Sequence, residues 1–566
     1  MTRLIECVPN FSEGRDPEII RQITDPMNAV EGASVLHVDP GQATNRTVVT
    51  LAGTPEAVAE AAFRGIAAAS QLIDMRRHHG EHPRMGATDV CPFVPISGVT
   101  MAECAALART LAERVGRELG IPVYLYEAAQ PDPARRSLPD IREGEYEGLE
   151  RKLADPAWKP DFGPATFNPR SGATVIGARD FLVAYNVNLN STSTRRANAV
   201  AFDVREAGRP QREGGTLTGK VLTDARGEPL TLPGTLKAVK AIGWFIDEYG
   251  VAQVSMNLTD LATTPIHVAF DEVDRAARER GMRVTGSELV GLVPLAAILA
   301  AGRHYLRKQQ RSLGVSEREL IHIAVRSLGL NEVASFKPEE RIIEYRLRDA
   351  RDRRLVSMSL EGFVDETAAE SPAPGGGSVS AAVGAMAAAL ATMVANLSAH
   401  KRGWDERWKE FSDWAERGQA IKADLLHLVD ADTKAFDAVL AAMQLPKGTQ
   451  AEKDARRTAL DAAIVAAAQV PFAVMQRTME VFDVATAMAE TGLPASVSDA
   501  GVAAACARAA VYGAWLNVRI NAGTLKDRSL VQPLLDEGKA IVAEAERRVT
   551  GIMEIVDRKM AGATAS

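Results

Sequence analysis

SVSAAVGAMAAALATMVANL, residues 378–397, is the stretch whose reading decides the architecture of this 566-residue chain. It carries no charge and approaches the length that spans a bilayer. Its composition argues against a span. Ala, Gly and Ser dominate it rather than Leu and Ile, which suits a helix packed closely on all sides within a bundle. We read it as a core helix. Ala-rich segments with helical spacing and few β-branched runs follow it, so the C-terminal part is an expected all-α domain of about 200 residues.

Upstream the texture differs. Strand-like runs at Leu4–Val8, Ser34–Asp39, Val48–Ala52, Cys91–Ile96, Val123–Tyr126, Phe181–Asn188 and Ala252–Leu258 alternate with helix-like stretches. Those stretches are Pro55–Ser70, Met101–Leu119, Arg195–Arg209 and Pro265–Arg280. Such alternation predicts α/β layers. A Pro- and Gly-punctuated stretch from Asp161 precedes a break near 175–180. The segment Arg209–Gly234, rich in Gly, Thr and Pro, reads as a surface excursion. The charged run RLRDARDRRL, 346–355, reads as a linker. The expected organisation is two α/β subdomains, 1–180 and 181–345, then the linker 346–355 and a helical domain over 356–566.

The formal net charge of −7 is small for this length and carries no signature of nucleic-acid binding. Cys7, Cys91, Cys104 and Cys506 show no C-x-x-C spacing, which fits a reducing cytosol. The N-terminal apolar run is too short for a signal peptide. A cytoplasmic protein without membrane or nucleic-acid partners is expected.

Among the stretches that carry chemistry, RRHHGEHPRMG, 76–86, holds three of the nine histidines. His78-His79-Gly80-Glu81-His82 matches H-x-x-E-H, a zinc-binding pattern that needs a helix to bring both histidines to one face. Gly80 and Pro83 oppose such a helix. Acid–base work by a loop histidine is favoured over metal binding and over a solvated polar loop, with His82 preferred because Pro83 fixes its backbone. Arg84 is a candidate clamp for an anionic substrate. In DPGQATNR, 39–46, Asp39 is a candidate to orient a histidine, and Asn45 and Arg46 to hold a carboxylate; a plain polar turn is the alternative. A loop of Gly163, Pro164, Ala165, Thr166, Phe167, Asn168, Pro169, Arg170, Ser171 and Gly172 offers an aromatic face and a cation.

Two further features lie in the helical part. APGGGS, 373–378, places Ser378 as an expected N-cap before the Ala-rich helix. Asp432 falls on an apolar stripe of Leu425, Leu428, Val439 and Met443, near Phe436, whereas Asp430 is expected to project elsewhere. A carboxylate on a core-facing stripe is a candidate acid or base, or one half of a salt bridge.

Together these strings closely resemble the formimidoyltransferase-cyclodeaminase family. LIECVPNFSEG from Leu4, LIDMRRHHGEHPRMGATDVCPF from Leu72, DFGPATFNPRSGATVIGARDFLVAYNVNL from Asp161, LVGLVP from Leu289 and ERIIEY from Glu340 carry the likeness in the first half. APGGGSV from Ala373, LVDADTKAF from Leu428 and LPKGTQAEKDARR from Leu445 carry it in the second. The resemblance implies transfer of a formimidoyl group from N-formimidoyl-L-glutamate to N5 of tetrahydrofolate. It further implies cyclisation of the product to 5,10-methenyltetrahydrofolate with loss of ammonia. It makes His82 the transferase catalytic residue, Gly163–Gly172 the folate loop and Asp432 the cyclodeaminase catalytic residue. Tetrahydrofolate, polyglutamylated forms included, is the implied co-substrate, with no metal or nucleotide. A homo-oligomer, a dimer or a larger ring, is implied. The alternative is a single-activity transferase, on a formimidoyl or formyl donor, whose helical domain serves assembly. The Arg209–Gly234 segment is longer than in mammalian members.

Overall fold

The computed structural model describes residues 3–42, 44–80, 83–215, 219–224, 226–347, 355–370 and 373–563. They form two compact units, Met1–Ala301 with Val325–Leu347, and Gly302–Ala324 with Arg348–Ser566.

The first unit begins with a seven-stranded sheet. Its strands are β1 (Leu4–Cys7), β2 (Asn10–Phe11), β3 (Ala33–Gly41), β4 (Arg46–Gly53), β5 (Thr88–Ser97), β6 (Val123–Glu127) and β7 (Thr174–Ala178). β1 and β2 lie in one row between β4 and β5, and β3 flanks β4; these pairings are antiparallel. β5, β7 and β6 continue in parallel. Helices α1 (Pro17–Asn28), α2 (Pro55–Leu72) and α3 (Met101–Leu119) contribute to the main core of this layer with Phe11, Leu51, Ile66, Phe93 and Val115. Their ends are written locally. Asp16 accepts from the amides of Glu18 and Ile19 at the start of α1, and Thr100 with Glu103 closes a capping box on α3. The short helices α4 (Leu138–Arg142) and α5 (Glu145–Ala154) contribute Ile141, Leu149 and Leu153 to a second cluster with Tyr124, Tyr126 and Val175. The cysteines are remote in sequence, yet Cys7 and Cys91 meet as buried thiols with sulfurs 3.4 Å apart.

The second sheet is antiparallel, in the order β11-β12-β8-β13. Its strands are β8 (Val183–Leu189), β11 (Val239–Ile246), β12 (Val251–Leu258) and β13 (Val284–Val290), with α6 (Thr194–Val204) and α7 (Ile266–Glu279) packed against it. α6 ends at Val204, five residues short of the expected Arg209, where the Arg205 amide closes the last turn on Ala201. Within the Arg209–Gly234 segment the described residues form short pairings. β9 (Arg209–Pro210) pairs with β10 (Thr231–Leu232), and Arg212 bridges Val221. Helices α8 (Leu295–Lys308), α9 (Glu317–Leu328), α10 (Pro338–Arg341) and α11 (Ile343–Arg346) follow. Residues 302–324 group with the second unit rather than with this sheet.

The second unit is helical: α12 (Leu360–Ala368), α13 (Gly376–Ala399), α14 (Trp408–Gln444), α15 (Gln450–Thr491), α16 (Val497–Thr524) and α17 (Gln532–Ala563). α13 contains the 378–397 stretch, and 67% of its most apolar window is buried inside the fold. Small residues set the spacing. A Cβ on Gly418 of α14 would sit 2.1 Å from Thr392 Oγ1 of α13. Ala381, Ala385, Ala388 and Ala395 of α13 pack with Phe411, Leu425, Phe472 and Phe482 in one core.

Candidate functional sites

The histidine loop is irregular, as Gly80 and Pro83 foretell. After the single turn Met75–Arg77 the chain runs extended through His78. The turn after β3 holds it. Asn45 sits at φ +47°, a left-handed conformation that Asn tolerates, and its amide works in two directions. Its Oδ1 accepts from the Gly14 amide at 3.0 Å, and its Nδ2 donates to the His79 carbonyl at 3.1 Å. A Cβ on Gly80 would lie 2.2 Å from the Thr44 carbonyl, so the two loops approach closer than a side chain permits.

His78 is buried, with Nε2 2.8 Å from the Asn45 carbonyl. A carbonyl only accepts, so Nε2 carries the hydrogen and Nδ1 is left to accept from Arg84 Nε at 3.3 Å. Burial holds the imidazole below the usual histidine pKa, opposed by the Asn45 bond. Both ring nitrogens are committed, and the His78 backbone is extended rather than helical. His79 is exposed. Glu81 and His82 lie outside the described residues.

Several expected substrate contacts have other work. Arg84 was expected to clamp an anion, but it is only 8% exposed and its guanidinium is held by Glu145 at 3.0 Å and Glu147 at 2.6 Å. Arg46 was expected to hold a carboxylate. It does, but the carboxylate is internal: Asp89 at 2.5 Å, with Asn10 Oδ1 accepting from Nε at 3.0 Å. Arg142 binds the same Asp89 oxygen at 2.5 Å, and Asp89 Oδ1 accepts from the Met85 amide at 3.0 Å. Asn45 holds the histidine loop. Asp39 is exposed and meets no imidazole among the described residues.

The loop Gly163–Gly172 is sewn to this cluster. Gly86 bridges Gly172, the Ala87 amide donates to the Ser171 carbonyl and the Ala173 amide to the Met85 carbonyl. Asn168 Oδ1 accepts from the amides of Arg170 and Ser171, while Gly163, Pro164, Ala165 and Thr166 form an exposed tip. Phe167 leans on Tyr146, ring centroids 5.5 Å apart, and the Tyr146 hydroxyl donates to the Pro169 carbonyl. Arg170 donates to the carbonyls of Ser70 and Gln71, so part of its guanidinium is a strut rather than a free cation.

The helical unit builds its site at the start of α13. Asp432 of α14 reaches the Ser378 amide at 2.8 Å and the Ser378 hydroxyl at 3.1 Å, both through Oδ2. The N-cap is Gly375, not Ser378, and Asp432 satisfies a helix-end amide from another element. The single Ser378 hydroxyl hydrogen is shared between Asp432 Oδ2 and the Val429 carbonyl, 3.0 Å away. Gly377 makes room: a Cβ there would meet Asp432 Oδ1 at 2.2 Å. One on Gly376 would meet Asn517 of α16 at 2.8 Å. Burial raises the Asp432 carboxyl above the usual carboxylate range, and the Ser378 bonds pull it part of the way back.

The expected stripe on α14 is corrected in part. Leu425 and Val439 are buried, but Phe436 and Met443 are exposed at 38% and 47%. Asp430 is more buried than Asp432, at 6% exposure, because it accepts from the amides of Leu355 and Val356. Sequence reasoning also missed Asp89, Glu145, Glu147 and Asn517. Asp89 had a signal: a lone carboxylate opening the apolar run VCPFVPI. The others had none.

Residues 4–179 match the family model described as formiminotransferase domain, N-terminal subdomain; residues 184–348 match formiminotransferase domain; and residues 359–540 match formiminotransferase-cyclodeaminase. The chain is 43% identical over 562 residues to the formimidoyltransferase-cyclodeaminase of Sus scrofa, covering 99% of this chain and 100% of that one. The chain belongs to the formimidoyltransferase-cyclodeaminase family. The Rattus norvegicus member is also 43% identical, over 551 residues, with 96% and 98% covered. A methenyltetrahydrofolate cyclohydrolase of Methylorubrum extorquens is 38% identical over 202 residues, 36% of this chain and 97% of that one. As a family member the chain is a multifunctional, folate-processing transferase.

Proposed function

We propose that this chain moves the formimidoyl group of N-formimidoyl-L-glutamate to N5 of tetrahydrofolate, then closes the product to 5,10-methenyltetrahydrofolate with release of ammonia. The observation that carries the reading is the end-to-end match of both halves to relatives named for both activities. In the first step the protonated N5 loses its proton as it attacks the amidine carbon, and glutamate leaves. His82 is assigned as acceptor of that proton, a role worth roughly 100- to 10,000-fold in rate. The loop Gly163–Gly172 is assigned to the folate. Its exposed tip and the Phe167–Tyr146 pair support this by offering backbone polar groups and an aromatic surface.

In the second step N10 attacks the formimidoyl carbon, N10 loses a proton and the departing nitrogen gains one. Asp432 is assigned to both transfers. Three properties support it: a raised pKa, a fixed Oδ2, and an Oδ1 with no hydrogen-bond partner among the described residues. A carboxyl so placed accepts from N10 in one protonation state and, in the other, donates to the departing amino nitrogen, which then leaves as ammonia. The cyclohydrolase relative, named for the same methenyl compound, supports folate as a ligand of this chain. Neither step requires a metal, a nucleotide or a redox group, and polyglutamylated folates are included as substrates. The protein is assigned to the cytoplasm and to a homo-oligomer, a dimer or larger ring. Exposed apolar residues at helical spacing support assembly: Met386, Met393 and Leu397 on α13, and Tyr512, Leu516 and Ile520 on α16.

The test is one absorbance trace. Formimidoylglutamate and tetrahydrofolate are supplied, and methenyltetrahydrofolate is the expected product. Glutamate release without methenyl formation leaves only the transferase half of the reading standing.

A further inference from the structure

A cavity of about 1000 Å³ opens between α6, the end of α7 and the Arg209–Gly234 segment. None of the residues assigned to either reaction lines it. Its floor holds an unbalanced charge cluster. Arg209 and Arg280 both lie on the single carboxylate of Asp203, Arg280 through Nε at 2.7 Å. These side chains are 34%, 27% and 16% exposed respectively, so water screens them only in part. Burial lowers the Arg209 pKa, and the Arg280 charge adds to it. One carboxylate between two guanidiniums leaves a positive charge uncompensated.

Two more cations stand at the cavity wall. Arg195 projects from α6, and Arg212 spends one N–H on the Gly219 carbonyl at 2.9 Å; neither has a carboxylate partner among the described residues. Arg275 is bound by two carboxylates, Glu272 and Glu279, so that corner carries one negative charge, and it is Arg195 and Arg212 that leave the cavity positive on balance. The other wall is apolar. Phe202 of α6 faces Leu222 and Leu232 of the segment, which are 37% and 51% exposed. Guanidiniums match carboxylate and phosphate oxygens two at a time. A cavity of this size accommodates a ligand of small-molecule dimensions.

We propose that this cavity binds an amphiphilic polyanion: an apolar ring or chain carrying phosphate or carboxylate oxygens. The anionic end displaces Asp203 as the partner of Arg209 and Arg280 and is reached by Arg212, and the apolar end covers Phe202, Leu222 and Leu232. The site borders the segment that the family resemblance leaves unexplained, and no residue of the histidine or Asp432 clusters lines it.

The test is calorimetry on the full chain at low salt, with 1-naphthyl phosphate, 2,6-naphthalenedicarboxylate and inorganic phosphate as probes. At least one naphthyl probe is expected to bind five-fold or more tighter than inorganic phosphate, and the tighter of the two identifies the acid group. Arg209→Gln with Arg212→Gln should weaken binding ten-fold or more. Asp203→Asn should tighten it several-fold by freeing both guanidiniums. Effects of opposite sign do not arise from loss of fold, and methenyltetrahydrofolate formation should remain at the wild-type rate in both variants. The proposal is overturned if no naphthyl probe binds, if inorganic phosphate binds equally well, or if the variants bind as wild type does.

Discussion

Three carboxylates with different partners show how much one residue decides. Glu6 is buried in β1, and burial pushes its pKa up to about 7, with Arg179 opposing and Glu344 adding. Its folded-state pKa lies above its unfolded value. Between about 4.5 and 7 the folded chain therefore holds a proton that the unfolded chain has lost, and stability falls as pH rises through that window. The cost above it is at most roughly 3 kcal/mol. Glu6→Gln should raise the urea midpoint at pH 8 and leave it nearly unchanged at pH 5; an equal gain at both would show that Glu6 does not titrate this way. For Asp432 the Ser378 hydroxyl lowers a pKa that burial raises. Ser378→Ala should therefore move the acid limb of the cyclodeaminase pH–rate profile to higher pH. A limb that stays in place would remove Asp432 as the titrating group. Asp89 binds the buried Arg46 and the half-buried Arg142. Asp89→Asn should cost roughly 3–5 kcal/mol in chemical denaturation, since two guanidiniums lose their counter-ion.

Elements meet at the sites through glycine and through helix ends. The α13 N-terminus leaves amides that its own helix cannot satisfy, and Asp432 of α14 takes one of them. That contact exists because Gly377 has no Cβ. Gly377→Ala should cut the cyclodeaminase kcat at least ten-fold with the transferase rate unchanged, measured on separately supplied substrates. An unimpaired rate would mean that the approach is not needed. In the first half the apolar runs of β1, β3, β4, β5, β6, β8 and β12 and of α2, α3, α6 and α7 are legible, whereas β7, β11, α1, α8 and α9 do not stand out. Nor does β13: VTGSELV puts polar residues on both faces, Thr285 and Ser287 on one and Glu288 on the other, and contains Gly286. The end of α6 was misjudged because AFDVREAGR continues a helical pattern. The backbone turns away at Arg205 to place the Arg209 side chain against Asp203.

For the whole molecule, the two candidate centres lie in separate compact units. Their lesions should be complementary. His82→Ala should abolish glutamate release yet still cyclise supplied 5-formimidoyltetrahydrofolate. Asp432→Asn should release glutamate yet form no methenyltetrahydrofolate, followed by absorbance and ammonia assays on the full chain. If either variant loses both activities, the centres are not independent.

By itself the sequence determined the fold class, since hydrophobic period and Ala-rich composition are local properties of the chain. It also marked the histidine loop, the Gly163–Gly172 loop and Asp432, because unusual residue types stand out in a string. Tertiary structure alone decided what each side chain is engaged with. Arg46, Arg84 and Arg170 read as free cations in the sequence, yet their partners come from β5, from α5 and from the end of α2. The environment of Asp432 was equally out of reach, because Ser378 and Gly377 lie more than fifty residues away, and only packing of α13 on α14 brings them to it. Charge, burial and hydrogen bonding act through space, and no local pattern encodes which distant residue supplies them.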